Sequence, residues 1–105
     1  MLALVVRFDL RPDGVEGFDA LVSRALPLIR EQEPGTLVYA AHAVQGEPTA
    51  RVFYEVYADR AAFEAHEQQP HVVEMLTGIR EHLSREPRVE LLEDADETGR
   101  PAVRP

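Results

Sequence analysis

The 105-residue chain contains no cysteine and no lysine. Lack of cysteine excludes disulfides, thiolate metal sites and a thiol nucleophile. Lack of lysine excludes Schiff-base chemistry and a P-loop lysine. No run of eighteen apolar residues is present, so a membrane-spanning helix is excluded. The segment Met1 to Val6 has neither a basic flank nor a small-residue cleavage site, and it reads as a first strand rather than an export signal. The expected compartment is the cytoplasm, with no membrane partner. Also missing are a glycine-rich dinucleotide fingerprint, a P-loop, an H-E-x-x-H pair and a G-x-S-x-G elbow. Positive charge is scarce as well: 11 arginines face 19 acids, for a net charge of −8. That balance repels phosphate backbones, and the arginines are scattered, so nucleic acid is not an expected partner.

The hydrophobic residues that are present fall into recognisable periods. Residues 2–10 are almost continuously apolar, with Leu2, Leu4, Val6, Phe8 and Leu10 on one alternating face and Arg7 and Asp9 on the other. A strand of this kind is covered on both sides. Pro12-Asp13-Gly14 turns the chain, and Asp13 with Glu16 predicts a capping box. Val15, Phe18, Leu21, Val22, Ala25 and Ile29 then repeat at helical spacing, with Pro27 expected to kink the last turn before Pro34-Gly35. Two strands follow at 36–44 and 50–58, joined by the short loop 45–49 of an antiparallel hairpin. Asp59 caps a short helix to about Gln69, and Pro70 opens another along the stripe Val72, Leu76, Ile79, Leu83, with Met75 as core. Arg88 to Glu93 reads as a last strand. Residues 94–105 read as a flexible tail.

Strand, helix, two strands, two helices, strand is the order of an α+β, ferredoxin-like split βαβ domain over 1–93. It has a four-stranded antiparallel sheet with helices on one face. The other sheet face is expected to be apolar too. At roughly 25 cal/mol per Å² its exposure is costly, so the expected remedy is a homodimer, sheet against sheet, forming a dimeric α/β barrel.

One stretch carries the chemistry: Tyr54-Glu55-Val56-Tyr57, then a helix running from Asp59 to His66-Glu67-Gln68-Gln69-Pro70-His71. Alternation puts Phe53, Glu55 and Tyr57 on one face. If that face meets the helices, Arg7 is expected to pair with Glu55 there, either as a plain ion pair or as an anchor for a phenolate oxygen. His66 shares a helical face with Phe63 and is read as a general base or as a packed residue. His71 in the first helical turn is read as a substrate partner or a partner of backbone carbonyls. His42 and the other histidines lack metal-site spacing. His82 reads as surface and Tyr54 as core.

This stretch resembles the antibiotic biosynthesis monooxygenase family, in which an E-x-[W/Y] strand leads to a helix ending H-x-x-x-P-H. The resemblance independently implies the same fold and dimer, and it makes Tyr57 an aromatic pocket wall beside Phe53. It also aligns Gly35 to Tyr39 with the family's G-x-x-x-Y segment, although Ala40, Ala41 and His42 depart from the pattern that follows. Haem-degrading relatives need a helical histidine ligand, an asparagine and a tryptophan where this chain has Leu76, Arg7 and Tyr57, so haem is not expected. The implied function is a cofactor-independent monooxygenase acting on a small aromatic quinol or anthrone with O2, using His66, His71 and Arg7 for chemistry and Tyr57, Glu55, Phe53 and Tyr39 for binding. The alternatives are a non-catalytic ligand-binding dimer and an isomerase of a small oxygenated metabolite.

Overall fold

The computed structural model describes residues 1–93, and the expectation of a flexible tail over 94–105 lies outside them. The elements are β1 (Leu2–Asp9), α1 (Val15–Gln32), β2 (Thr36–Val44), β3 (Glu47–Tyr57), α2 (Arg60–Gln68), α3 (Pro70–Ile79) and β4 (Arg88–Glu93). Their strands form one antiparallel sheet in the order β2-β3-β1-β4. This is the ferredoxin-like arrangement, with the helices on one face.

Alternation in β1 determines which face is buried. Leu2, Leu4, Val6 and Phe8 are buried beneath the helices, and Ala3, Val5, Arg7 and Asp9 face the other way. In β3, Tyr57, Glu55 and Phe53 lie directly opposite Leu2, Leu4 and Val6. Directly opposed residues of antiparallel strands share a face, so all three point at the helices. From above, α1 brings Phe18, Val22, Ala25 and Ile29, and α3 brings Val72, Met75 and Ile79. The rings of Phe8, Phe18 and Phe53 meet with centroids 4.9–6.0 Å apart in tilted and edge-on pairs, the geometry that the aromatic quadrupole favours.

Several local expectations are revised. Asp13 does not cap α1; its carboxylate is held by the Arg11 guanidinium at 2.9 and 3.1 Å, while a 3-10 turn over Pro12–Gly14 leads into the helix. That ion pair holds the Asp13 carboxyl below its usual range. The hairpin is tighter than the sequence suggests: Val44 pairs with Glu47 across Gln45-Gly46, and Gly46 supplies the positive φ of 82° that the turn needs. Leu76 is not core but 38% exposed, and Tyr54 is 42% exposed on the helix-free face. His82 is half-buried against the start of α1, where a Cβ at Gly17 would come within 2.6 Å of its ring. Asp59 caps α2 as expected, accepting from the Ala62 amide at 2.8 Å.

The helix-free face is mixed rather than wholly apolar. Val5, Val52 and Tyr54 share it with Arg7, which donates to Glu47 at 2.8 Å and to Asp9 at 3.3 Å. No helix among the described residues is long and apolar enough to cross a membrane.

Candidate functional site

A cavity of about 210 Å³ opens between the sheet and α2–α3. Its floor is Leu4, Val6 and Phe8 of β1, and Leu76 and Val89 stand at its sides. Among the described residues, polar groups reach it from three elements: Tyr39 of β2, Glu55 of β3, and His66 with Glu67 of α2.

Behind His66 lies a residue that sequence reasoning passed over. Glu33 follows the last turn of α1 and is buried, its carboxylate accepting three hydrogen bonds. Thr36 Oγ1 and His66 Nδ1 approach Oε1 at 2.8 and 2.6 Å, and His71 Nε2 approaches Oε2 at 2.5 Å. Residues 33, 66 and 71 come together because α1 ends where α2 hands over to α3 across Gln69. A carboxylate can only accept, so both facing ring nitrogens carry hydrogen. In neutral His66 this fixes the tautomer: Nδ1–H donates to Glu33, and Nε2 carries the lone pair. Nε2 makes no hydrogen bond among the described residues, yet none of their buried side-chain polar atoms is left unpartnered, so it is the nitrogen open to the cavity that His66 lines. The imidazole rests between the rings of Tyr39 and Tyr57, at centroid distances of 5.2 and 5.1 Å. His66 Nδ1 and His71 Nε2 each meet a different oxygen of Glu33, and no metal-binding group of three acidic or histidine side chains occurs among the described residues.

Glu55 is the second group of note. Its carboxylate accepts from Tyr57 Oη–H at 2.5 Å. Burial pushes the Glu55 carboxyl up to about 7, against the opposing effect of that hydrogen bond, with further upward contributions from the charges of Glu67 and Glu33. Tyr57 is itself pushed far above the ordinary phenol range by burial and by Glu55, so it stays a donor. Tyr39 is also raised well above 10, mainly by burial, and its hydroxyl makes no hydrogen bond within the described chain. It is a neutral donor available to whatever enters the cavity.

The residues expected from sequence therefore separate into four groups. His66, Glu55 and Tyr39 line the cavity. Tyr57 and Phe53 are fully buried and are not its walls: Tyr57 sits behind Glu55 and packs on Phe63, and Phe53 supports Tyr39 edge-on at 5.7 Å. His71 faces the narrow cleft between α1 and α3, beside Arg24 and Glu74, rather than the cavity. Arg7 lies on the opposite face of the sheet, so the expected Arg7–Glu55 pair is absent. Strand parity is the reason, since a residue between Val6 and Phe8 cannot share their face.

The family model for antibiotic biosynthesis monooxygenase matches residues 1–77. Among solved structures, the chain is similar to one antibiotic biosynthesis monooxygenase at 26% identity and a TM-score of 0.84, with 91% of this chain and 100% of that one covered. It is similar to Rv0793 from Mycobacterium tuberculosis at 28% identity and a TM-score of 0.83, covering 91% and 96%. It also resembles NE2512 of Nitrosomonas europaea, a protein of unknown function, at 26% identity and a TM-score of 0.76, covering 90% and 89%. No curated protein matches the chain.

Proposed function

The chain belongs to the antibiotic biosynthesis monooxygenase family, and from that premise we propose that it oxygenates a small hydroxyaromatic substrate with O2 and without a bound cofactor. The observation that carries this reading is a tautomer-locked histidine and a carboxyl poised near neutrality facing one apolar cavity. Perturbed acid–base groups in an apolar pocket are the usual mark of a reaction site. The volume lies below the roughly 300–1,000 Å³ of sites for drug-sized ligands, which favours one or two fused rings, hence a quinol over a three-ring anthrone.

In this reading Tyr39 Oη–H donates to the substrate oxygen, the role expected of Arg7. His66 Nε2 takes the phenolic proton, with Glu33 steadying the imidazolium that forms. The electron-rich anion then reduces O2, one oxygen atom bonding to ring carbon. His66 returns its proton to the outer oxygen. The hydrogen on the oxygenated ring carbon then passes back to Nε2 as the O–O bond breaks, and Glu55, while protonated, gives its proton to the departing hydroxide, which leaves as water. Quinol plus O2 becomes hydroxyquinone plus water, and the substrate supplies all four electrons. Metal-depleted protein given 1,4-dihydroxynaphthalene is expected to consume O2 above the autoxidation background, and His66→Asn to lower kcat/KM by about 10²-fold or more. Uptake that appears only after adding metal or flavin contradicts the cofactor-free step. The same acid–base pair would serve an isomerase, and turnover under strict anaerobiosis would favour that reading instead.

A second copy covering the mixed face of the sheet belongs to the same proposal. Val5, Val52 and Tyr54 supply its apolar part, and the family resemblance supports it. Analytical ultracentrifugation is expected to report twice the 11.8 kDa chain mass; a monomer at micromolar concentration would rule the dimer out.

A further inference from the structure

Among the described residues, the side chains lining the cavity that carry permanent charge potential are acids, with no arginine beside them. Glu55 and Glu67 are its ionisable acids, His66 is held by Glu33, and among the described residues no arginine lines it. The nearest candidates by strand position are committed elsewhere: Arg7 to Glu47 and Asp9 on the far face, Arg51 to Asp19 in a two-bond fork, and Arg88 to Glu90. No lysine exists in the chain. An anion entering this space would lose its hydration and meet no countercharge, in surroundings where leucine, valine and phenylalanine screen poorly.

We propose that the cavity selects by charge, admitting uncharged hydroxyaromatics and rejecting carboxylated or phosphorylated ones, with Glu67 at its rim as a specificity-determining residue. The proposal rests on the reading of the cavity as an aromatic-binding site and adds which members of that class it takes. Glu67 reaches in from the exposed side of α2 and is close enough for its charge to act on the buried Glu55 carboxyl. A ligand carboxylate in the same space would be repelled in the same way. Because Glu67 is exposed, its effect is open to salt, whereas that of Glu55 is shielded from it.

The test is a binding measurement on the full chain at pH 8, by calorimetry or competition, with 1,4-dihydroxynaphthalene and its 2-carboxylate under anaerobic conditions. Affinity for the neutral quinol is expected to exceed that for the carboxylate at least tenfold. Glu67→Gln is expected to narrow the gap several-fold and Glu67→Arg to close it, and high salt to narrow it in the unaltered protein. Equal or tighter binding of the carboxylate, or a gap unmoved by both substitutions, overturns charge selection while leaving oxygenation standing. Selective binding without O2 uptake keeps charge selection and removes oxygenation. If neither compound binds, the aromatic-site reading falls and the proposal with it.

Discussion

Replacing Glu33 with alanine is expected to destabilise the protein more than any other single change around the cavity, by roughly 3–5 kcal/mol, the usual cost of removing one partner from a buried charged cluster. The carboxylate accepts from Thr36, His66 and His71, all supplied by other elements. Alanine leaves both imidazoles facing a void with donors unmet, and each unmet buried group costs about 1–3 kcal/mol. The cluster also pins three joints at once: the end of α1, the start of β2 and the bend between α2 and α3. For a domain near 100 residues, where about 1 kcal/mol moves Tm by 4–8 °C, a fall on the order of 15 °C or more follows. Glu33→Gln should fall much less. Its amide oxygen still accepts from His66 and Thr36, and its NH2 can donate to His71 once that ring changes tautomer. Calorimetric melting of both variants decides the matter. An alanine variant melting within a few degrees of the parent would show that the two histidines are held by packing instead.

How much of this could be read from the sequence depends on the kind of signal. The elements were visible because hydrophobic periods of two and near four are local: Leu2, Leu4, Val6 and Phe8 reveal β1, and Phe18, Val22, Ala25 and Ile29 reveal α1. The H-x-x-x-P-H spacing singles out His66 and His71, the two rings that meet at Glu33. Glu33 was not, because an acid at the end of a helix before Pro34-Gly35 looks like a solvated terminus. Only the crossing of α1 over the α2–α3 bend brings it to residues more than thirty positions away. The available hint was chemical: two inward histidines need an acceptor, and an acid beside a forced chain reversal is a ready one. The misplacement of Arg7 has a different cause. Pairing it with Glu55 set charge attraction above side-chain alternation, although the apolar series in β1 already fixed the parity. Tyr57 was placed on the correct face but at the wrong depth, since alternation gives direction and says nothing about which neighbour stands in front. Here Glu55 does, and the phenol serves the carboxylate rather than a ligand.

Glu55→Gln is expected to separate stability from function, and to do so through pH. The folded protein holds this carboxyl at about 7 against an ordinary 4.5. A folded value raised above the unfolded one means that the protonated form is preferred in the fold. The associated stability is fully present below about 4.5 and is lost as pH climbs through 7. At 1.36 kcal/mol per unit the whole effect is roughly 3 kcal/mol. Glutamine is neutral at every pH, and its carbonyl still accepts from Tyr57. The variant should therefore match the parent near pH 4.5 and exceed it at pH 8, with the gap in urea midpoint opening between those values. Activity should move the opposite way. If protonated Glu55 hands its proton to the departing oxygen, kcat/KM of the parent falls as pH rises through about 7, and glutamine, unable to donate that proton, loses about 10²-fold or more while its profile no longer shows that limb. Tyr57→Phe supplies the control. Removing the O–H that favours the charged carboxylate raises Glu55 further, so the limb should shift to higher pH rather than vanish. A parent profile flat from pH 6 to 8, or a limb unmoved in Tyr57→Phe, would take Glu55 out of the reaction and leave it a buried acid that costs the fold stability above neutrality.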